Sequence, residues 1–147
     1  ILNKPGRLTA EEMSAVREHV NYGARMLENG TTDLVRVAAA IVGGHHEKWD
    51  GSGYPRGLSG AAIPIEARIT AVADVFDALC SKRPYKEAMA FEAAMAILES
   101  DCGTHFDPAV MSVFRHLAAE ISARLSGCGE DDTRRLLEER IRRHFAI

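Results

Sequence analysis

Two adjacent histidines, His45 and His46, are the residues whose type and spacing point most directly to chemistry. They end an apolar run, and a carboxylate, Glu47, and a glycine-rich stretch at 51–60 follow them. Neutral imidazole is the commonest side-chain ligand of metal ions, and neighbouring rings can reach one cluster from different directions. The pair therefore indicates a metal site. The alternative interpretation is a solvated helix end, where cations are favoured by the helix dipole.

Two further side chains, on other predicted helices, could complete such a site. His19 lies at the edge of the apolar stripe of a helix predicted over 10–27, so its ring is expected to point inward. Asp74 lies in an apolar helix, where a carboxylate is costly unless it is paired or bound to a metal. Three imidazoles and one carboxylate suit iron, manganese, zinc or nickel better than calcium or copper(I). A hydrogen-bonded core histidine and a solvent-facing carboxylate remain the alternatives at these two positions.

Helical periodicity and capping signals place these candidates in an all-α fold, because no alternating strand pattern is found. Thr9 and Glu12 form a capping box before the first helix. Asp107 caps the fifth helix, which is expected to begin with Pro108. The core positions predicted for the second to fifth helices are Leu34, Ala38 and Ile41; Ile65, Ile69, Val72, Phe76 and Leu79; Phe91, Met95 and Leu98; and Val110, Phe114, Leu117, Ile121 and Leu125.

Composition and charge are those of an ordinary globular chain. The 147 residues are 46% hydrophobic and 27% charged, with a net charge of -3. That charge gives no general attraction to nucleic acid or to an anionic membrane, so a phosphate ligand needs local cations. Arg36 and the glycines at 43–44 interrupt the longest apolar run, so no transmembrane helix is expected. The three cysteines lie far apart, which fits a reducing cytoplasm.

The two ends of the chain differ from its central helices. The chain starts at Ile1 without a methionine, within what resembles a connection into a helix, so we expect a fragment of a longer polypeptide. The glycines near 127–129 indicate a linker. We therefore predict one domain over residues 1–125, followed by a linker and a helical tail over 126–147. The mixed charges of the tail are typical of a solvated face or a partner-binding segment.

Taken together, the motifs resemble those of the HD-GYP domain, a bacterial branch of the HD superfamily of metal-dependent phosphohydrolases. The resemblance runs from Ile1 to about Pro108, roughly three-quarters of the chain, and its density makes it highly specific. The motifs that carry it are KPG at 4–6, LT at 8–9, HHE at 45–47, WDG at 49–51, GYP at 53–55, GL at 57–58, ADVFDAL at 73–79, RPYK at 83–86 and FDP at 106–108.

This resemblance implies an HD-domain-like helical bundle that hydrolyses cyclic di-GMP, a bacterial second messenger, to pGpG or GMP. It implies two or three divalent metal ions, iron or manganese first and zinc or nickel as alternatives. The ligands that it implies are His19, His45, His46 and Asp74. Asp77 and Lys86 correspond to catalytic residues, and Arg83 and Lys86 correspond to residues beside the substrate phosphates. Arginine would hold a phosphate as a bidentate fork and lysine as a point charge. A solvated charge cluster is the alternative for 82–86.

The resemblance also implies partners. These are cyclic di-GMP, GGDEF-type diguanylate cyclase domains contacted through Gly53-Tyr54-Pro55, an upstream sensory or receiver domain, and a second copy in a homodimer. No nucleic acid polymer is expected as a partner, and the expected location is the cytoplasm.

The family's defining His-Asp pair, with its following lysine, normally precedes the segment that matches Ile1. We therefore expect the bundle to be N-terminally incomplete and this chain alone to be inactive or impaired. Two interpretations stay open. Either the parent protein supplies the pair upstream, or the chain is a degenerate, non-catalytic binding or regulatory module.

Overall fold

The computed structural model describes residues 1, 4, 6–82, 87–126, 135, 138, 139 and 142. Within these residues the protein contains five α-helices, one short 3-10 helix and no strand, which confirms the all-α prediction. The helices are α1 (Ala10–Leu27), α2 (Asp33–Val42), α3 (Ile65–Cys80), α4 (Phe91–Ser100) and α5 (Pro108–Ser126). Consecutive helices from α1 to α4 pack against one another along the chain.

Local capping explains where α1 and α5 begin. Before α1, the Thr9 hydroxyl accepts a hydrogen bond from the Glu12 N–H at 3.2 Å. The Glu12 carboxylate in turn accepts one from the Thr9 N–H at 2.8 Å, which completes the predicted capping box. Before α5, Oδ1 of Asp107 accepts a hydrogen bond from the Ala109 N–H at 2.8 Å. Both predicted helix starts are therefore confirmed.

The core face of α3 agrees with the predicted stripe only in part. Val72 and Phe76 are buried as predicted, whereas Ile65 and Ile69 are 44% and 53% exposed and Ala67 and Ala71 are buried. The cause is a close backbone approach: a Cβ on Gly44 would lie only 2.9 Å from the Cβ of Ala67. At that distance only the alanine face of α3 can meet the end of α2, so the larger isoleucines turn outward.

The predicted stripes of α2 and α5 also need correction. Leu34, placed in the core from the sequence, is 59% exposed, and Leu117 is 47% exposed. Among the described side chains of α5, which exclude the predicted Leu125, the fully buried ones are Met111 and Ala118, one position further along than the predicted Val110 and Leu117. Apolar residues occur on both of these neighbouring rows of α5, so periodicity alone did not select the buried one.

The chain divides into two compact units, residues 1–112 and 113–147. The first contains α1 to α4 and all the described candidate residues. The second contains the remainder of α5 and the helical residues at 135, 138, 139 and 142. The domain limits predicted at 125 and 126 remain a prediction. Among the described residues, no helix has the length and apolar character needed to cross a membrane.

Candidate metal centre

Three imidazoles meet at one point of the first unit. His19 comes from α1, whereas His45 and His46 lie in the turn that follows α2. The His19 Nε2 lies 3.2 Å from the His46 Nε2 and 3.5 Å from the His45 Nε2. One nitrogen from each ring lies within 4.8 Å of the others, which is a spacing that could hold a metal ion. We call these three residues the imidazole cluster.

Backbone carbonyls fix the tautomers of two of these rings. The His19 Nδ1 lies 2.7 Å from the Val16 carbonyl oxygen, and the His45 Nδ1 lies 3.0 Å from that of Ile41. A carbonyl oxygen only accepts, so each Nδ1 carries a hydrogen, and in the neutral imidazole each Nε2 then presents a lone pair. Two lone pairs then face each other, which is unfavourable unless a cation lies between them. The imidazole cluster thus fits a transition-metal ion, with its rings oriented as metal-ligating histidines usually are.

His46 is held between aromatic rings. Its ring stacks on Tyr54, with centroids 4.8 Å apart and an interplanar angle of 22°, and lies 4.0 Å from the ring of His45. Burial is the main cause that lowers the pKa of His46 to about 4, with further lowering by the charges of His45 and His19. His46 is therefore neutral at physiological pH, which is the form that can ligate a metal.

The two candidate carboxylates of α3, Asp74 and Asp77, are both exposed. Asp74 lies in α3 on the same face as Ala67 and Ala71, three residues beyond Ala71, but its side chain is exposed. The burial that would make an unpaired carboxylate costly at this position is therefore not found. Burial lowers the pKa of His46 and raises the pKa of Tyr54, and in both cases the charge of Asp74 pushes the pKa upward. Asp74 therefore lies within electrostatic reach of the imidazole cluster without belonging to its tight group of ligand atoms.

The remaining predicted site residues have different surroundings. Asp77 accepts a hydrogen bond from the Ser81 hydroxyl at 3.0 Å. Arg83 and Lys86, predicted to bind the substrate phosphates, lie outside the described residues. Their roles, and those of Asp74 and Asp77, remain predictions.

Sequence reasoning missed the function of Glu47, which is only 2% exposed. Its Oε1 accepts a hydrogen bond from the Arg56 N–H at 2.8 Å, and its Oε2 accepts one from the Leu58 N–H at 3.0 Å. One buried carboxylate thus ties both ends of a short loop segment to the residue that follows the histidine pair. The signal in the sequence that could have predicted this anchor is a carboxylate that directly precedes a glycine-rich loop.

A buried ion pair supports the same loop from another side. Arg68 Nη1 lies 2.6 Å from Asp107 Oδ2, with side chains 18% and 2% exposed. The Arg68 guanidinium also lies over the Trp49 ring, 5.8 Å from its centroid. The Trp49 N–H donates to the His105 carbonyl at 3.0 Å. The loop is therefore fixed to α3 and to the segment before α5.

Comparison with known proteins places these observations in a family. A family model described as "HD domain" matches residues 1–110. "Cyclic di-GMP phosphodiesterase response regulator RpfG" of Xanthomonas campestris pv. campestris is 53% identical over 108 residues, which are 74% of this chain and 29% of that relative. "3'3'-cGAMP-specific phosphodiesterase 2" of Vibrio cholerae is 48% identical over 113 residues, 77% of this chain and 22% of the relative. The chain thus spans less than a third of the length of either relative.

One solved structure, a cyclic GMP-AMP specific phosphodiesterase of V. cholerae, superposes with a TM-score of 0.55 at 21% identity. The superposition covers 82% of this chain and 30% of that one, and at this identity it supports the fold alone. The family model extends over all of α1 to α4 and the start of α5, and it therefore includes the whole imidazole cluster. The chain belongs to the HD domain family.

Proposed function

We propose that the protein is a metal-dependent phosphodiesterase that hydrolyses cyclic di-GMP to pGpG or GMP in bacterial signalling. The observation that carries this proposal is the convergence of three Nε2 atoms, two of them with lone pairs fixed by backbone hydrogen bonds. The names of relatives such as the Xanthomonas protein support the substrate class. A hydrogen bond can link His46 to His19, but a structural role alone would not explain why the Nε2 atoms of His19 and His45 face each other.

The ligands in this proposal are the imidazole cluster and, from α3, Asp74. Nitrogen donors with one oxygen donor suit iron or manganese, with zinc or nickel as alternatives. A bound divalent ion supplies the nucleophile for phosphate-ester hydrolysis by lowering the pKa of water to near neutrality. Two or three ions would need ligands in addition to these four residues.

The protein's own cations would bind the substrate phosphates. We assign this role to Arg83 and Lys86, and we assign Asp77 and Lys86 to the immediate surroundings of the reacting phosphate. The net charge of -3 means that attraction to a dinucleotide depends on such local cations. Among the described cations, Arg17 contacts Tyr54, the residue stacked on His46, with its guanidinium carbon 4.8 Å from the centroid of the Tyr54 ring.

The remaining partners form part of the same proposal. They are a GGDEF-type diguanylate cyclase domain at the Gly53-Tyr54-Pro55 loop, an upstream sensory or receiver domain, and a second copy in a homodimer. The proposed location is the cytoplasm, which fits a chain whose three cysteines lie far apart in sequence.

The decisive experiment measures turnover. The full-length protein, loaded anaerobically with iron or with manganese, is incubated with cyclic di-GMP, and the products are separated by chromatography. We expect pGpG or GMP to accumulate, and we expect no product from the His45→Ala variant. Metal-loaded protein that binds cyclic di-GMP without cleaving it would identify the non-catalytic binding module instead.

A second substrate is favoured by one comparison, since a relative at 48% identity is named as specific for 3'3'-cGAMP. The two cyclic dinucleotides differ in one purine base and share the phosphodiester ring. Measuring kcat/KM for both with the same metal-loaded preparation separates them. We expect the larger value for cyclic di-GMP, and the opposite order would reassign the substrate within the same reaction class.

A further inference from the structure

His46 is oriented differently from the other two rings of the imidazole cluster. Backbone carbonyls orient His19 and His45 through their Nδ1 atoms. For His46, the structure provides a face-to-face contact with Tyr54 instead. The backbone reinforces it, because the Tyr54 N–H donates to the His46 carbonyl at 3.1 Å. A stacked ring restricts rotation of the imidazole plane in much the same way as a hydrogen bond to Nδ1 does.

Tyr54 also contacts a side chain of α1. The Arg17 guanidinium carbon lies 4.8 Å from the Tyr54 ring centroid, close enough for a cation–π interaction. Arg17 and His19 belong to the same helix, α1. The contacts of Tyr54 with Arg17 and His46 therefore connect α1 to the turn after α2, and these are the two elements that supply the imidazole cluster.

Tyr54 itself has little freedom, because the loop that carries it is anchored on both sides. Glu47 holds Arg56 and Leu58 through its two carboxylate oxygens. On the other side, Gly53 lies so close to the preceding turn that an added Cβ would be 2.3 Å from the Lys48 nitrogen. The buried carboxylate and the close backbone contact together fix the tyrosine against His46.

We propose that Tyr54 is a positioning residue that sets the ring plane of His46 for metal binding, and that Glu47 acts through it by anchoring the loop. This inference rests on the proposed metal centre. It assigns the Gly53-Tyr54-Pro55 loop the role of orienting a metal ligand of its own chain, in addition to any contact with a partner.

The test measures manganese affinity and the visible spectrum of the cobalt-substituted full-length protein. Tyr54→Leu removes the stacking ring, so we expect metal affinity to fall by about 10- to 100-fold, as is typical when support for a metal ligand is lost. We also expect its cobalt bands to shift. Tyr54→Phe keeps the ring and should retain both the affinity and the spectrum of the wild type.

A matched control for Tyr54 is Tyr22, which lies in α1. Tyr22 is 58% exposed and carries a similar arginine contact, with the Arg25 guanidinium carbon 4.9 Å from its ring centroid. The Tyr22→Leu variant therefore loses an arginine–tyrosine pair outside the imidazole cluster. We expect it to bind manganese like the wild type, and the unfolding midpoint of each metal-free variant verifies that the fold is retained.

A double-mutant cycle tests the part assigned to Glu47. Glu47→Gln places an amide N–H against a backbone N–H and should loosen the loop, so metal affinity should fall. If Glu47 acts through Tyr54, adding Tyr54→Leu to this variant should cost much less than it costs the wild type. Fully additive losses would overturn the part assigned to Glu47.

The outcomes separate the two proposals. A wild-type protein that binds no manganese, iron or cobalt overturns the metal centre and this inference with it. A wild-type protein that binds metal, together with a Tyr54→Leu variant of equal affinity and spectrum, overturns this inference alone. Equal losses in Tyr54→Phe and Tyr54→Leu would also overturn it, because the hydroxyl and not the ring would then be the active feature.

Discussion

Two neighbouring groups of polar residues have opposite characters. In the first, the carboxylates of Glu47 and Asp107 are 2% and 3% exposed, and every carboxylate oxygen accepts a hydrogen bond. In the second, the imidazole cluster, the rings are exposed or half-buried and their Nε2 atoms converge. His46 and Glu47 are adjacent in sequence, yet one belongs to each group. We call the first group, Glu47, Arg68 and Asp107, the ion-pair region.

This difference separates polar residues that stabilise the fold from polar residues that can bind a ligand. Buried carboxylates whose oxygens all accept hydrogen bonds stabilise one conformation and leave no acceptor for a ligand. The facing Nε2 acceptors of His19 and His45 have the reverse property, because a cation between them removes their repulsion. The two exposed carboxylates of α3, Asp74 and Asp77, resemble the imidazole cluster in their accessibility. Removing a residue from each group should therefore affect different measurements.

The largest effect is expected in the ion-pair region. Asp107→Ala leaves the Arg68 charge largely buried without its partner and removes the cap of α5, so the free energy of unfolding should fall by about 3–5 kcal/mol. Denaturant unfolding measures this loss. Asp107→Asn, which keeps an acceptor for the Ala109 N–H, should lose less. A loss below that of an ordinary surface mutation would contradict the structural role of the pair.

The imidazole cluster should respond in metal affinity and hardly at all in stability. His45→Ala removes a ligand itself, so manganese affinity should fall by more than the roughly 100-fold upper range seen for supporting residues. The unfolding midpoint of the metal-free protein should stay close to that of the wild type. His116→Ala, an exposed histidine of α5, is the matched control. Full metal occupancy in His45→Ala would contradict the assignment of His45 as a metal ligand.

The two carboxylates of α3 provide a finer comparison. Asp74 lies within electrostatic reach of His46, whereas Asp77 bonds the Ser81 hydroxyl. We expect Asp74→Ala to lower metal content more than Asp77→Ala, while both should lower phosphodiesterase activity. Metal analysis after dialysis, alongside turnover of cyclic di-GMP, measures the two effects. Equal metal losses would show that the pair acts as one unit.

The smallest expected effect concerns His105, whose carbonyl accepts a hydrogen bond from the Trp49 N–H. Burial, and then the charge of Lys48, lower the pKa of His105, although Asp101 and Asp50 oppose the shift. The unfolded state, with a histidine pKa of about 6.5, therefore binds more protons below that pH, and stability falls as the pH drops. Replacing His105 with Gln should make this decline shallower. An unchanged slope in denaturant unfolding between pH 7 and 5 would contradict the assignment.

Much of the protein could be predicted from its sequence. Thr9 and Glu12 fixed the start of α1, and Asp107 fixed that of α5, because caps depend on residues within one helical turn. The all-α class followed from apolar periodicity, and the family followed from motifs that the match over residues 1–110 confirms. The three histidines were recognised as candidate metal ligands by residue type, since imidazole is the commonest side-chain ligand of metal ions.

Only the tertiary structure decided which faces of the helices are buried. The contact between Gly44 and Ala67 joins residues that are far apart in sequence, and it leaves Ile65 and Ile69 on the exposed side of α3. The buried anchor at Glu47 likewise depends on backbone groups 9 and 11 residues away. Periodicity describes one helix at a time, whereas burial depends on how closely two backbones approach. The sequence by itself therefore determined the elements and the candidate ligands, and the packing determined which polar residues stabilise the fold and which are free to bind.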